Sequence, residues 1–216
     1  MRKELEYIVI DYTKDDVDYI DTLCNSLNEK SKEVIQFLNI KEFGEKVKVK
    51  LWNSIEEFRN LHKSLFHKVD ANGQVPNWIS GFALGNEVQT LSLAQYRKTK
   101  NHECATITDL EKLIIHEFTH AAHSRLHDNR IMLWLTEGLA TFLAHQYDDK
   151  ELEFNATLEE IKVGKTSYTN YYIMFNYVLN TYGKDYILKL IKDEELLQNE
   201  TNRLYEETKE RFGKEG

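Results

Sequence analysis

Proline occurs once in the 216 residues, at Pro76, so no proline-rich linker divides the chain, and no internal repeat or low-complexity stretch is present. There are only two cysteines, Cys24 and Cys104, too far apart for a C-x-x-C pair. That scarcity fits a reducing compartment and predicts a cytoplasmic protein, with one disulfide left possible. No apolar run approaches the ~20 residues of a membrane span. The first residues carry charges at 2, 3, 4 and 6 around a short apolar run, which is not the pattern of a secretory signal. Basic residues are in deficit, with 28 Lys and Arg against 36 Asp and Glu and a formal net charge of −8. Without a basic patch, a nucleic-acid partner is not expected.

With 41% hydrophobic residues the chain can bury one core, and a single domain spanning 1–216 is expected. Tyr7 to Ile10 reads as a first strand, and Asp15 to Leu38 as helix with a possible break near Asn28. Lys46 to Trp52 alternates charged and apolar side chains, the period-two pattern of a half-buried strand. Ser54-Ile55-Glu56-Glu57 is a capping box opening a helix to about Phe66. Asn72-Gly73 signals a turn, Gly81 and Gly85 punctuate the next stretch, and Glu87 to Leu93 alternates as a strand. Residues 1–107 are thus mostly α/β. The remainder is mostly helical: a polar stretch over 148–167 with a short helix, a run from Tyr168 to Tyr182-Gly183, and an amphipathic helix over Asp185 to Phe212. Leu188, Leu190, Ile191, Leu196, Leu197, Leu204 and Phe212 are its expected core contacts.

The chemistry concentrates in His116-Glu117-Phe118-Thr119-His120. Thr108-Asp109-Leu110-Glu111 reads as the capping box of its helix, and Leu110, Leu113, Ile114, Phe118, Ala121 and Ala122 give that helix an apolar surface. Histidines four apart share a helical face, so both imidazoles can reach one metal ion. Glu117 is then placed to hold a water over the open side of that ion. The metzincin extension is excluded, because positions 123 and 126 hold His123 and Leu126 rather than glycine and histidine. His123 and His127 read as surface or supporting residues. His127 to Arg130 is a short polar turn, after which Ile131 to Tyr147 reads as a helix returning antiparallel. That return brings Glu137 level with His120 as third ligand. Glu103 and His145 are the other candidates, although His145 lies two turns past Glu137.

His-Glu-Phe-Thr-His followed after sixteen residues by Glu137 in Trp-Leu-Thr-Glu-Gly-Leu-Ala resembles the gluzincins, the thermolysin-like zinc peptidases. The resemblance covers about 108 to 147. It implies an α+β thermolysin-like catalytic domain, with a small mixed sheet and edge strand over a helical lower part. It also implies one zinc ion on His116, His120 and Glu137, with Glu117 as general base. Gluzincins run an edge strand beside the metal, and Glu87 to Leu93 is similar to it in position. They also place a tyrosine or histidine at the start of a later helix as oxyanion donor. Tyr168 matches that position, with Tyr171 and Tyr172 as alternatives. The G-x-M-E-N of the aminopeptidase members is absent, since Gly81 to Glu87 reads G-F-A-L-G-N-E.

These residues imply zinc-dependent peptide hydrolysis, endopeptidase-like, with a peptide or protein as partner. Two other classes remain in view. One is a non-catalytic interaction module that keeps the metallopeptidase fold and its zinc site. The other is a structural zinc site closed by a fourth ligand such as His123.

Overall fold

Strand β3, Val47–Trp52, buries Val47, Val49 and Leu51 and leaves Lys48 and Lys50 exposed, as the alternation dictates. In the computed structural model, which describes residues 1–67, 73–127, 131–148 and 150–213, the chain divides into two compact units, Met1–Ala121 and Ala122–Gly216. Asn72 and residues 128–130, parts of two expected turns, lie outside the described residues.

The first unit carries a five-stranded mixed sheet. In chain order it contains β1 (Arg2–Glu4), β2 (Ile8–Asp11), α1 (Val17–Phe37), β3, α2 (Ile55–Phe66), β4 (Gly81–Leu84), β5 (Glu87–Leu91), α3 (Leu93–Tyr96) and α4 (Ile107–His123), which runs two residues past the division. The sheet order is β1-β2-β3-β5-β4; β2, β3 and β5 are parallel, and the outer strands β1 and β4 are antiparallel to their neighbours.

Register sorts the side chains. Ile8 pairs with Val47, Ile10 with Val49 and Val49 with Val88, giving one apolar face. Ala83 and Gly81 of β4 join that face opposite Val88 and Thr90. Phe82 points the other way, and its ring meets Phe58, His62 and Phe66 of α2 at 5.2–5.6 Å. That second face also carries polar contacts: Trp52 Nε1 donates to Gln89 Oε1 at 2.8 Å and Lys50 lies over the Trp52 ring.

Helix α2 begins and ends as its sequence directs. Ser54 Oγ accepts the Glu57 amide, and His67 closes the helix at φ 52°. Helix α1 is unbroken at Asn28, whose side-chain oxygen instead accepts the Glu6 amide at 3.2 Å. Its start is held by the buried Asp16 carboxylate, which accepts from Thr13 N at 2.8 Å, Tyr19 Oη at 2.5 Å and Asn53 Nδ2 at 3.3 Å.

The second unit is helical: α5 (Leu133–Leu143), α6 (Leu158–Val163), α7 (Tyr168–Tyr182), α8 (Lys184–Lys192) and α9 (Glu194–Phe212). Helices α5 and α7 touch at Gly138, where an added Cβ would stand 2.5 Å from Phe175 Cβ and 2.7 Å from the Tyr171 carbonyl oxygen. Only glycine permits that approach. Trp134 is fully buried, and its Nε1 donates to Thr201 Oγ1 at 3.2 Å, tying α5 to α9.

The expected single helix over Asp185–Phe212 is two helices. Asp193 leaves the helical region at φ −127°, ψ 93°, and its side chain accepts the Leu196 amide, capping α9. Leu188, Leu190, Ile191, Leu197 and Leu204 are buried as expected, but Leu196 is half-buried and Phe212 is exposed. Arg203 joins Glu200 and Glu207 on α9 to Tyr182 and Tyr186. Among the described residues no helix is long and apolar enough to cross a membrane.

Candidate metal centre

Helix α4 starts two residues earlier than its sequence suggested. Thr106, not Thr108, is the cap: its amide and hydroxyl both donate to Asp109 Oδ2 at 2.7 Å, and its Oγ1 accepts the Asp109 amide at 3.3 Å. Glu111, assigned to the box by the sequence pattern, instead accepts from Ser26 Oγ on α1. Leu110, Ile114, Ile115 and Phe118 are fully buried. Phe118 stacks on Phe43, which packs edge-on to Tyr7. The helix is therefore fixed along its length before it presents any polar side chain.

His116 is buried and His120 half-buried, with Nε2 atoms 3.2 Å apart and rings nearly perpendicular at 80°. Two ligands of one tetrahedral zinc at Zn–N of ~2.0–2.1 Å stand roughly 3.3 Å apart. Glu137, half-buried on α5, completes a group that could hold a metal ion: one ligand atom from each of His116, His120 and Glu137 lies within 4.8 Å of the others. Among the described residues this is the one group of three or more His, Cys, Asp or Glu side chains so placed. The other candidates are engaged elsewhere. Glu103 is exposed and accepts the Asn101 amide at 3.3 Å, while His145 Nδ1 sits 2.6 Å from Asp148 Oδ2.

Glu117 is buried beside His116. It lies against β4: a Cβ at Gly81 would be 3.4 Å from Glu117 Cγ and 3.2 Å from Leu113 Cδ1. The edge strand beside the candidate base is thus β4, not Glu87 to Leu93. Strand β5 lies inside the sheet between β3 and β4. The sequence held a signal for this hairpin, since Gly85-Asn86 is a two-residue turn with Gly85 at φ 57° joining Leu84 to its partner Glu87.

Tyr168 is the first residue of α7, capped by Ser167, and remains 42% exposed. Tyr171 is buried, and its hydroxyl accepts the Thr166 amide at 3.4 Å. Burial pushes its pKa up, and the nearby Glu137 charge adds to the rise. Tyr172 is also buried and donates to Asp148 at 3.5 Å; burial, then Asp148, raises its pKa. Of the three tyrosines only Tyr168 stays accessible to solvent.

His123 is buried rather than at the surface, and its ring stacks on His127 at 5.3 Å with Nδ1 3.1 Å from His127 Nε2. Neither belongs to the three-residue group.

Compared with protein-family models, with curated proteins and with solved structures, the chain finds no match in any of the three.

Proposed function

We propose that this protein is a zinc-dependent peptidase of gluzincin type, cleaving within peptide chains. The observation that carries this reading is the convergence of one nitrogen each from His116 and His120 with one Glu137 oxygen within 4.8 Å. Two imidazoles and a carboxylate are a donor set that zinc accepts, and the 3.2 Å spacing of the histidine nitrogens suits ligands on one ion. His116, His120 and Glu137 would hold the metal. When bound, zinc polarises a substrate carbonyl and lowers the pKa of water.

The protein's own groups account for the rest. The Glu117 carboxylate takes a proton from the attacking water and delivers it to the departing amine nitrogen. Burial of Glu117 keeps bulk water from competing for that proton. The outer edge of β4 offers backbone N–H and C=O groups to an extended peptide, so the substrate chain is held as an added strand. With Gly81 above Glu117, that chain would pass close to the base. Tyr168 Oη would donate to the oxygen that gains charge, a contact worth about 3 kcal/mol in comparable sites.

The test measures zinc by elemental mass spectrometry and cleavage of a quenched-fluorescence peptide library. Wild type should carry one zinc per chain and cleave. Glu137→Ala should lose most of its zinc, and Glu117→Gln should keep zinc and lose cleavage. Zinc retained by Glu137→Ala would refute the ligand set. Cleavage surviving in Glu117→Gln would refute the mechanism. A zinc-loaded wild type that cleaves no peptide would favour the interaction module.

A further inference from the structure

Helix α2 has a second side that the sheet does not use. Phe58, His62 and Phe66 face Phe82, whereas Ile55, Arg59 and Lys63, spaced by four, form a stripe along the flank. This stripe and residues 73–75 line a solvent-open cavity of about 490 Å³. That volume falls in the range of small-molecule sites, roughly 300–1,000 Å³. The cavity is separate from the Glu117 side, because Phe82 and Gly81 point to opposite faces of the sheet.

Arg59 is the anomaly here. Its Nε is buried and has no hydrogen-bond partner among the described residues. Arginine stays charged at any physiological pH, and a buried donor without an acceptor is destabilising, so native structures rarely leave one unexplained. Lys63, one turn on, is anchored at the rim by donating to the Gly73 carbonyl at 3.1 Å. Glu56 also lines the cavity, so the two cations outweigh one carboxylate by a single positive charge. Ile55 and the buried Val75 supply apolar wall.

We infer that this cavity is a binding site for a small organic monocarboxylate with an apolar body. The carboxylate accepts from Arg59 Nε and is balanced by the surplus charge, while the apolar part rests on Ile55 and Val75. Glu56 disfavours multiply charged anions such as phosphate. The site is independent of peptide hydrolysis.

The test follows the Arg59 Nε–H resonance of the full-length protein by ¹⁵N NMR during titration with butanoate, hexanoate and octanoate. Hexanol, hexylammonium and inorganic phosphate serve as comparisons. The longer carboxylates should shift the Arg59 resonance saturably and raise the melting temperature, and the comparisons should not. Arg59→Met should melt no lower than wild type without ligand, since an unpartnered buried donor has been removed. It should bind hexanoate at least about tenfold more weakly, the loss of one charge-assisted hydrogen bond. Lys63→Met should weaken binding with the fold intact. An Arg59 resonance unmoved by every carboxylate overturns the inference. So does hexanoate stabilisation that survives Arg59→Met and disappears in His116→Ala, which would locate the carboxylate at the metal centre.

Discussion

Replacing Gly138 by alanine sets two effects of opposite sign against each other. Alanine in a helix interior is favoured over glycine by about 1 kcal/mol. The new methyl, however, would sit 2.5 Å from Phe175 Cβ and 2.7 Å from the Tyr171 carbonyl oxygen, where carbon contacts relax at ~3.5–4.0 Å. Neither neighbour is the free end of a flexible side chain, so α5 and α7 must separate by about 1 Å. Overpacking of this kind costs about 1–3 kcal/mol and sometimes more. A backbone oxygen as obstacle puts this case at the upper end, for a net loss near 2 kcal/mol. In a chain of this length that lowers the melting temperature by about 4–8 °C. Glu137 is the preceding residue and moves with the helix, so zinc affinity should fall about tenfold. Thermal unfolding followed by circular dichroism and a competitive zinc-chelator titration read the two effects separately. A Gly138→Ala protein as stable as wild type, with unchanged zinc affinity, would refute the packing argument.

Gly81→Val should leave zinc content intact but reduce hydrolysis about tenfold, because its branched side chain meets Leu113 and Glu117 Cγ; equal rates in a peptide assay would refute it. Asp16→Ala should lower stability by about 3 kcal/mol in urea titrations, since the donors of Thr13, Tyr19 and Asn53 lose their common acceptor. Arg203→Met should flatten the acid limb of the stability–pH profile. Hydrogen bonds from Tyr186 and then Arg203 hold Glu200 below its ordinary 4.5, and those from Tyr182 and Arg203 hold Glu207 down against the opposing effect of its burial. Carboxylates lowered in the folded state stabilise it above about pH 4.5 and lose that contribution as pH falls through their folded values. A wild-type profile flat across that range would refute the assignment.

What could be read from the sequence was local. The α7 helix begins at Tyr168 and ends before Gly183 because a serine cap and a glycine stop bracket an apolar run. The α2 helix follows its capping box in the same way. The α4 cap is ambiguous in sequence because Thr-Ile-Thr-Asp-Leu-Glu contains two overlapping boxes; in the structure Thr106 pairs with Asp109, while Glu111 accepts from Ser26, 85 residues away. Strand β1 was missed because Arg2-Lys3-Glu4 has no apolar alternation; it pairs through its backbone to β2, with Arg2 bonded to Asp11. Sheet position is only partly local: the Gly85-Asn86 turn pairs Gly81–Leu84 with Glu87–Leu91, but nothing in Glu87 to Leu91 says that Val47–Trp52 would lie on its other side. The histidine pair was legible because i and i+4 on a helix fix their own geometry, whereas the Gly81 approach to Glu117 depends on a strand 36 positions earlier.

The three tryptophans occupy three different settings. Trp134 is sealed in the second unit against Thr201, Trp52 is half-buried beside Gln89 in the first, and Trp78, three residues before β4, is 65% exposed. An indole in an apolar interior emits at shorter wavelength than one in water, so the protein carries a built-in spectroscopic label for each unit. With Trp52 and Trp78 replaced by phenylalanine, the red shift of Trp134 alone reports the opening of the helical unit. A Trp134→Phe protein reports the sheet. Comparing their midpoints in one denaturant series asks whether the two units unfold together or in turn.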